Sequence, residues 1–583
     1  MTSCDYPFLL INKLKITHFS GFGINALSYD YNVTIECLAN PHKPQYGGGM
    51  VVNPELKLGL KGWNAFGDAK IEQRVSRGGN SFIAAGYRKQ PHDSFSQKFY
   101  LEKQKFYTFS AWLQVSHGNA EVVATFKTST GFKHAGWVIA ESGCWSMLKG
   151  GLVVNASGAA ELYFESKNTS IEIWVDSISL QPFTKDEWKS HQVQGIEKAR
   201  KSKVKLQAVD ATGTPLANAT VSVTQSNLKF PFGCAMSKHI LTNTRYQNWF
   251  TSRFKVTTFE DEMKWYSRER SRGKEDYSVS DAMLQFANKN GISVRGHNIF
   301  WNDVQYQPEW VKSLSPDELS SAAEKRLNSV VKRYAGKVIA WDVVDENLHF
   351  SFLESKLGEN ASAVYYHKTH QMDSATTLFL NEFNTIEEMH DGSSTPAEYL
   401  KKIREIRSTG FNGPLGIGLE AHFPTPNLPY MRASIDKLAA AGLPLWLTEL
   451  DVSSGPSQAL YLEQVLREAH AHPAIKGIVM WASWKPEGCY RVCLTDNNFK
   501  NLATVDVVDK LIREWSLGGS IGSTDAEGFF GTKLFHGDYQ VTVTHSGVND
   551  SSLAQNLKVA STDESHQQTT LHVKISPLSN VFN

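Results

Sequence analysis

Two short runs, Trp341-Asp342-Val343-Val344-Asp345-Glu346 and Trp446-Leu447-Thr448-Glu449-Leu450-Asp451, pass from apolar or β-branched residues straight into carboxylates. A run of this kind is what a strand buried on both faces looks like when it delivers an acid to the rim of a parallel barrel. The same unit recurs along the chain. Candidate strands begin near Phe230, Phe254, Val294, Val338, Leu378, Leu415, Leu445 and Gly477, and helical stretches separate them. Eight β-α repeats predict a (β/α)8 TIM barrel over residues 227–516, with its chemistry at the strand C-termini.

At 583 residues the chain exceeds what one hydrophobic core supports, so further domains are expected. Residues 47–183 carry short period-two segments such as Phe106–Trp112, Glu121–Phe126 and Ser170–Val175, broken by frequent turns, which predicts a β-sandwich of the jelly-roll type. Residues 184–202 are charged with a helical tendency and read as a linker. Residues 203–226 and 517–583 hold matching strand and turn patterns, and are expected to form one small β-sandwich into which the barrel is inserted; two separate β-appendages are the alternative. Residues 1–46 read as an unstructured or misassigned start.

Acids and bases balance to a net charge of +1, so nothing favours nucleic acid or an anionic membrane as a partner, and no apolar run approaches membrane-spanning length. A monomer is expected. Of the six cysteines, Cys489 and Cys493 suit a local disulfide, while Cys4, Cys37, Cys144 and Cys234 show no readable pairing. The N-terminus is not a clean signal peptide: Lys13 and Lys15 interrupt its one apolar stretch. Six sequons, at Asn32, Asn155, Asn168, Asn218, Asn360 and Asn549, give weak support to secretion and glycosylation.

The predicted strand ends carry the chemistry. They offer Glu260, Asp261 and Lys264 from the second strand, His297 and Trp301 from the third, and Asp345 and Glu346 from the fourth. Asn381 and Asn384 come from the fifth, Glu420 and His422 from the sixth, Glu449 and Asp451 from the seventh, and Trp481 and Trp484 from the eighth. The cup is acid-rich and walled by tryptophan, with no cysteine nucleophile, serine elbow or phosphate loop. His297 and His422 stand on different strands without a His-x-x-x-His pair, so no metal is expected, and no cofactor either. A sugar acetal needs one group to protonate its leaving oxygen and another to meet the positive charge that develops on carbon. Glu346 and Glu449, from opposite sides of a barrel mouth, suit those two tasks.

Six motifs occur in order: Glu-x-x-Met-Lys-Trp (260–265), Arg-Gly-His-Asn-Ile-Phe-Trp (295–301), Trp-Asp-Val-Val-x-Glu-Asn (341–347), Gly-Ile-Gly-Leu-x-x-His (416–422), Thr-Glu-Leu-Asp (448–451) and Gly-Ile-Val-Met-Trp (477–481). The chain resembles plant-type members of glycoside hydrolase family 10, the endo-1,4-β-xylanases. Asn-Pro-x-x-x-x-Gly-Leu-x-Gly-Trp (53–63) resembles the opening of family 22 carbohydrate-binding modules. The resemblance implies Glu346 as acid/base and Glu449 as nucleophile of a retaining mechanism on cell-wall xylan. It further implies that His422 orients the nucleophile, with Asp451 beyond it. Glu260, Lys264, His297 and Trp301 would bind sugar on the non-reducing side, and Trp481 would wall the cleavage subsite.

Three positions depart from the pattern of many relatives: Asp261 and Asp345 stand in place of asparagine, and Glu420 in place of glutamine. An ionised Asp345 would raise the pKa of Glu346 and weaken a contact to the sugar 2-OH. Hydrolysis and transglycosylation are both open, as is a catalytically weakened or inactive xylan-binding protein.

Overall fold

The computed structural model describes residues 27–489, 491, 493–516, 519–545, 554–560 and 569–575. Eight parallel strands form a closed ring: Phe232–Cys234, Val256–Thr258, Ser293–Gly296, Ala340–Asp345, Thr377–Glu382, Leu415–Leu419, Leu445–Val452 and Ile475–Met480, numbered here first to eighth. The ring closes where Phe232 of the first strand meets Ile478 of the eighth. The fourth and seventh strands are buried along their whole length, which explains why their sequences show no polar alternation. Inside the ring, the glycines at 416 and 477 make room for the rings of Phe379 and Trp446, since a Cβ on either would come within 2.5 Å of its neighbour's ring. The fully buried Arg295 guanidinium lies over the same two rings, 4.4 and 5.0 Å from their centroids, and pairs with Asp342 at 2.7 Å. Its charge is shared between π faces and one carboxylate. Among the described residues, no helix is long and apolar enough to cross a membrane.

The N-terminal module is a sandwich of two five-stranded antiparallel sheets over one apolar core. Residues 27–46 correct the expectation of an unstructured start. Cys37 is bonded to Cys144, Leu38 exchanges backbone hydrogen bonds with Trp145, and Tyr29 is buried, its hydroxyl 2.7 Å from Asp436. Residues 1–26, and with them Cys4, lie outside the described residues. Segment 184–202 is likewise no spacer. A capping box at Thr184 and Glu187 starts the helix Lys185–Ala199, which buries Trp188 and Ile196 against the barrel. The Trp188 indole donates to Glu468, and Gln192 donates to the same oxygen. The apolar contacts and the shared acceptor turn a charged stretch into a docked helix.

Lys201–Asp210 pairs antiparallel with Phe529–Phe535 and parallel with Thr569–Ile575. Thr220–Leu228 pairs with Ser520–Ser523 and with Gly537–Thr544. Val204, Leu206, Val221 and Val223 share one core with Leu534, Val541 and Val543. Residues 517–518, 546–553, 561–568 and 576–583, including the sequon at Asn549, fall outside the described residues.

The module is seated on the barrel through its strands Gly131–Glu141 and Ser146–Leu152. Lys149 forms an ion pair with Asp436 of the barrel helix Leu428–Ala439 at 2.7 Å, both side chains 2% exposed, and also donates to the carbonyls of Asp30 and Asn32. Asp436 also contacts His472 at 2.9 Å. Burial alone would raise the Asp436 carboxyl, but Lys149 and His472 hold it below its usual range. Removing one partner of such a pair leaves an uncompensated buried charge. Lys149→Met is expected to cost ~3 kcal/mol, read as a lower urea midpoint. Adding Asp436→Asn should recover part of that loss, and an unchanged midpoint in the single variant would show the pair to be inert.

Candidate active site

The C-terminal ends of the strands bring most of the expected residues into one buried cup. Glu346 follows the fourth strand with a φ of 55°, and its amide donates to the Asn381 carbonyl. Asn298 (60°) and Ala421 (69°) are also left-handed. Such backbone costs about 1–3 kcal/mol per residue in a side-chain-bearing position and persists only where its surroundings impose it. Here it turns each chain sharply at the rim and aims the next side chains into the cup.

Glu449 lies on the seventh strand between two imidazoles. His297 Nε2 is 3.8 Å from one of its oxygens and His422 Nε2 is 3.9 Å from the other. Asn381 Nδ2 donates to Glu449 at 3.1 Å. Behind His297 stands Asp342, 3.0 Å from Nδ1, and behind Asp342 stands Arg295. Burial would lower the His297 pKa, but Asp342 and Glu449 outweigh it and raise it. His422 is raised in the same way against burial, by Asp451 (3.2 Å from Nδ1) and Glu449. At 3.9 Å His422 is too far from Glu449 for a hydrogen bond, and Glu420 is nearer at 3.4 Å. It faces both acids as a ring drawn toward its charged form.

The Glu346 carboxyl accepts from the Trp301 indole at 2.7 Å. Burial pushes its pKa up to about 8; the indole N–H opposes this, while Glu382 and Glu449 add to it. Asp345 accepts from Asn298 (2.8 Å) and Asn381 (3.0 Å) and is only 2% exposed. Burial drives its pKa well up, and Glu449 and Glu346 reinforce this against the opposing His297. A buried site already crowded with carboxylates favours the neutral form of Asp345 over the ionised one. Glu420 is raised well up for the same reasons, by burial and then by Glu449, Glu346 and Asp345. Three triads in this cup (His297, Asp345, Glu449; Glu420, His422, Glu449; Asp345, Glu346, Glu420) place candidate ligand atoms within 4.8 Å of one another. Asn381 donates into this cluster at Asp345, Glu420 and Glu449.

One wall is built from the second, third and eighth strands. Lys264 Nζ lies 4.4 Å from the Trp301 ring and 5.7 Å from that of Trp481, and Trp301 stacks on Tyr306 at 3.9 Å. Lys485 reaches across to Glu260 (2.9 Å) and Asp261 (3.2 Å), and Tyr266 donates to Asp261 at 2.7 Å. Burial pushes Glu260 up to about 7 against the pull of Lys485. Asp261 is held low by Lys264 and Lys485 although burial opposes it. Trp484 is a correction. It packs behind the wall against Tyr246 and Phe499, at 5.3 and 4.8 Å, and its indole donates to Asn497.

Sequence reading missed Lys485, Arg491, Asp342 and Arg295. Arg491 lies within the loop closed by the Cys489–Cys493 disulfide and sets Nε 2.8 Å from Asp451. Only Asp342 and Arg295 gave a signal, as charges inside otherwise buried strands.

Residues 222–509 match the family model described as glycosyl hydrolase family 10, and residues 48–170 match a carbohydrate binding domain. The chain is 42% identical to Endo-1,4-beta-xylanase 5 of Arabidopsis thaliana, over 82% of this chain and 86% of the relative. It is 38% identical to Endo-1,4-beta-xylanase 5-like and 36% identical to Endo-1,4-beta-xylanase 4 of the same plant, over 96% and 93% of both chains respectively.

His349 ties the loop after the fifth strand to this cup. Its Nδ1 is 2.6 Å from Glu382 and its Nε2 is 2.8 Å from Asp391. Burial would lower its pKa, but Glu382 and then Asp391 raise it to about 9. A histidine raised from ~6.5 on folding contributes stability that is complete below ~pH 6.5 and disappears as pH passes its folded value. His349→Gln is expected to cost about 2 kcal/mol at pH 6 and little at pH 10, after allowance for partial exposure. Chemical unfolding at the two pH values tests this, and equal losses would overturn it.

Proposed function

The chain belongs to glycosyl hydrolase family 10, and from that premise we propose that it is a retaining endo-1,4-β-xylanase acting on plant cell-wall xylan. One observation carries the assignment of roles. Two glutamates at the mouth of one barrel, Glu346 and Glu449, share the neighbours Glu420 and Asn381 but have opposite surroundings. Burial, with Glu382 and Glu449 nearby, pushes Glu346 up to about 8 against the pull of the Trp301 indole, which suits a proton donor. Glu449 faces two imidazoles drawn toward their charged forms, a field that suits a carboxylate nucleophile.

In the first step Glu449 attacks the anomeric carbon while Glu346 gives its proton to the leaving glycosidic oxygen. The bond to the leaving sugar breaks and a glycosyl ester forms on Glu449. Glu346, now a carboxylate, takes a proton from the incoming water, whose oxygen displaces Glu449 and restores both groups. A sugar hydroxyl in place of water gives transfer instead of hydrolysis. Lys264, Trp301 and Trp481 offer an ammonium and ring faces to the sugars on the non-reducing side, and Lys485 fixes Glu260 and Asp261 beside them. Asp345 and Glu420, both held toward their neutral forms, have one O–H donor each where an amide would have N–H. A binding-only reading is therefore not favoured: the departures at 345 and 420 leave donors available beside intact Glu346 and Glu449. Two disulfides, Cys37–Cys144 and Cys489–Cys493, support a place outside the cell or in its wall.

Glu449→Ala and Glu346→Gln are each expected to lower reducing-sugar release from xylan roughly 10³-fold, and NMR of early products should show the β-anomer first. Release at parental rates would refute the roles, and α-anomer first would refute retention. The proton on Asp345 gives a pH test. Asp345→Asn should match the parent kcat/KM on the acidic limb and exceed it on the alkaline limb, where the parent acid ionises. A ratio that does not change with pH sinks that account.

A further inference from the structure

The carbohydrate binding domain is marked by its sequence; its placement against the barrel adds something new. Strand register sets Phe66, Thr125, Tyr163, His134 and Trp137 on the face of one module sheet that looks away from the sandwich core. Phe66 stacks on Tyr163 at 4.1 Å, and Phe132 beside them is 57% exposed. At the sheet edge this face meets the barrel. The His134 and His390 rings are 4.6 Å apart, and the Trp137 indole donates to the Met389 carbonyl at 2.9 Å. His390 and Met389 belong to the loop that leaves the fifth barrel strand.

That loop is also bonded to the catalytic cup. Glu387 accepts from the amides of Asn384 and His422, and Asp391 accepts from Asn384 and contacts His349, three residues beyond Glu346. One short segment therefore touches this aromatic module face on one side and the cup on the other. The lysine and tryptophans assigned above to the non-reducing side of the chain stand on the second, third and eighth strands, across the barrel mouth from the fifth. The reducing side of a bound chain thus leads out over the fifth-strand loop toward the module.

We propose that the module face and the barrel cleft form one path, and that the module holds the leaving-group portion of the same β-1,4-linked chain that the barrel cuts. Ring faces suit the C–H faces of neutral pyranoses. The His134–His390 seam carries the chain from one domain to the other, and burial followed by its neighbour His390 lowers the His134 pKa to about 4, so that ring is uncharged. The docking through Lys149 and Asp436 keeps the two parts of the path in fixed relation.

This inference rests on the xylanase reading, and its test separates the two. The full chain and its Phe66→Ala, Phe132→Ala and His390→Ala variants are assayed on reducing-end-labelled xylo-oligosaccharides from four to twelve units. The parent should gain kcat/KM with length beyond what the cleft alone holds and should release long labelled products. Each variant should lose about threefold to tenfold on the longest substrates, equal the parent on the shortest, and shift its cuts toward the label. Equal length dependence and equal cut positions in parent and variants overturn the shared path, even where the variants bind insoluble xylan more weakly, because the module then holds a separate chain. Failure of the parent to cut any length overturns the xylanase reading and this inference with it.

Discussion

The buried pair of Arg295 and Asp342 is the contact on which the catalytic cup depends. An arginine inside a barrel has no water to solvate it, so it needs both the π faces of Phe379 and Trp446 and a carboxylate in direct contact. Asp342 then has a second oxygen left over, and His297 takes it. That holds Nδ1 and the tilt of the imidazole and leaves Nε2 facing Glu449. The arrangement at the rim therefore begins two layers below it, in residues that never meet substrate. Asp451 and Arg491 repeat the device on the other side, through His422.

The cup gathers more carboxyl groups than it has cations to balance them. Burial resolves this by protonating some and not others. Asp345 and Glu420 are buried among other carboxyls and are driven toward their neutral forms, while Asp342 and Asp261 stay low because an arginine or a lysine contacts each. The division of labour between Glu346 and Glu449 follows from the same rule. Identical side chains acquire opposite tasks because burial among other acids raises one, while two imidazoles flank the other.

Much of this was legible in the sequence because buried parallel strands have no polar alternation and end where the barrel ends. Trp341 to Glu346 and Trp446 to Asp451 announce both their strands and their acids. Harder to read was anything that depends on who packs against whom. The charged stretch at 184–202 looked like a spacer, since one tryptophan and one isoleucine do not reveal a docked helix until Glu468 is found beneath them. Cys37 and Cys144 are 107 residues apart, so no spacing rule joins them. Lys485 reads as a solvated loop lysine, and only the fold brings it to Glu260. Nor was the charge state of Asp345 legible, because burial, unlike residue type, is not written in the local sequence.

The small sandwich is completed by strands from both ends of the barrel segment, with Gln207 bonded to Glu527 across a separation of 320 residues. During synthesis its first two strands emerge long before their partners exist. The barrel segment is made while these two apolar strands still lack their sheet partners, which come only once residues 520–575 have been made. A nascent chain stalled anywhere in between carries open strand edges, the kind of template on which aggregation starts.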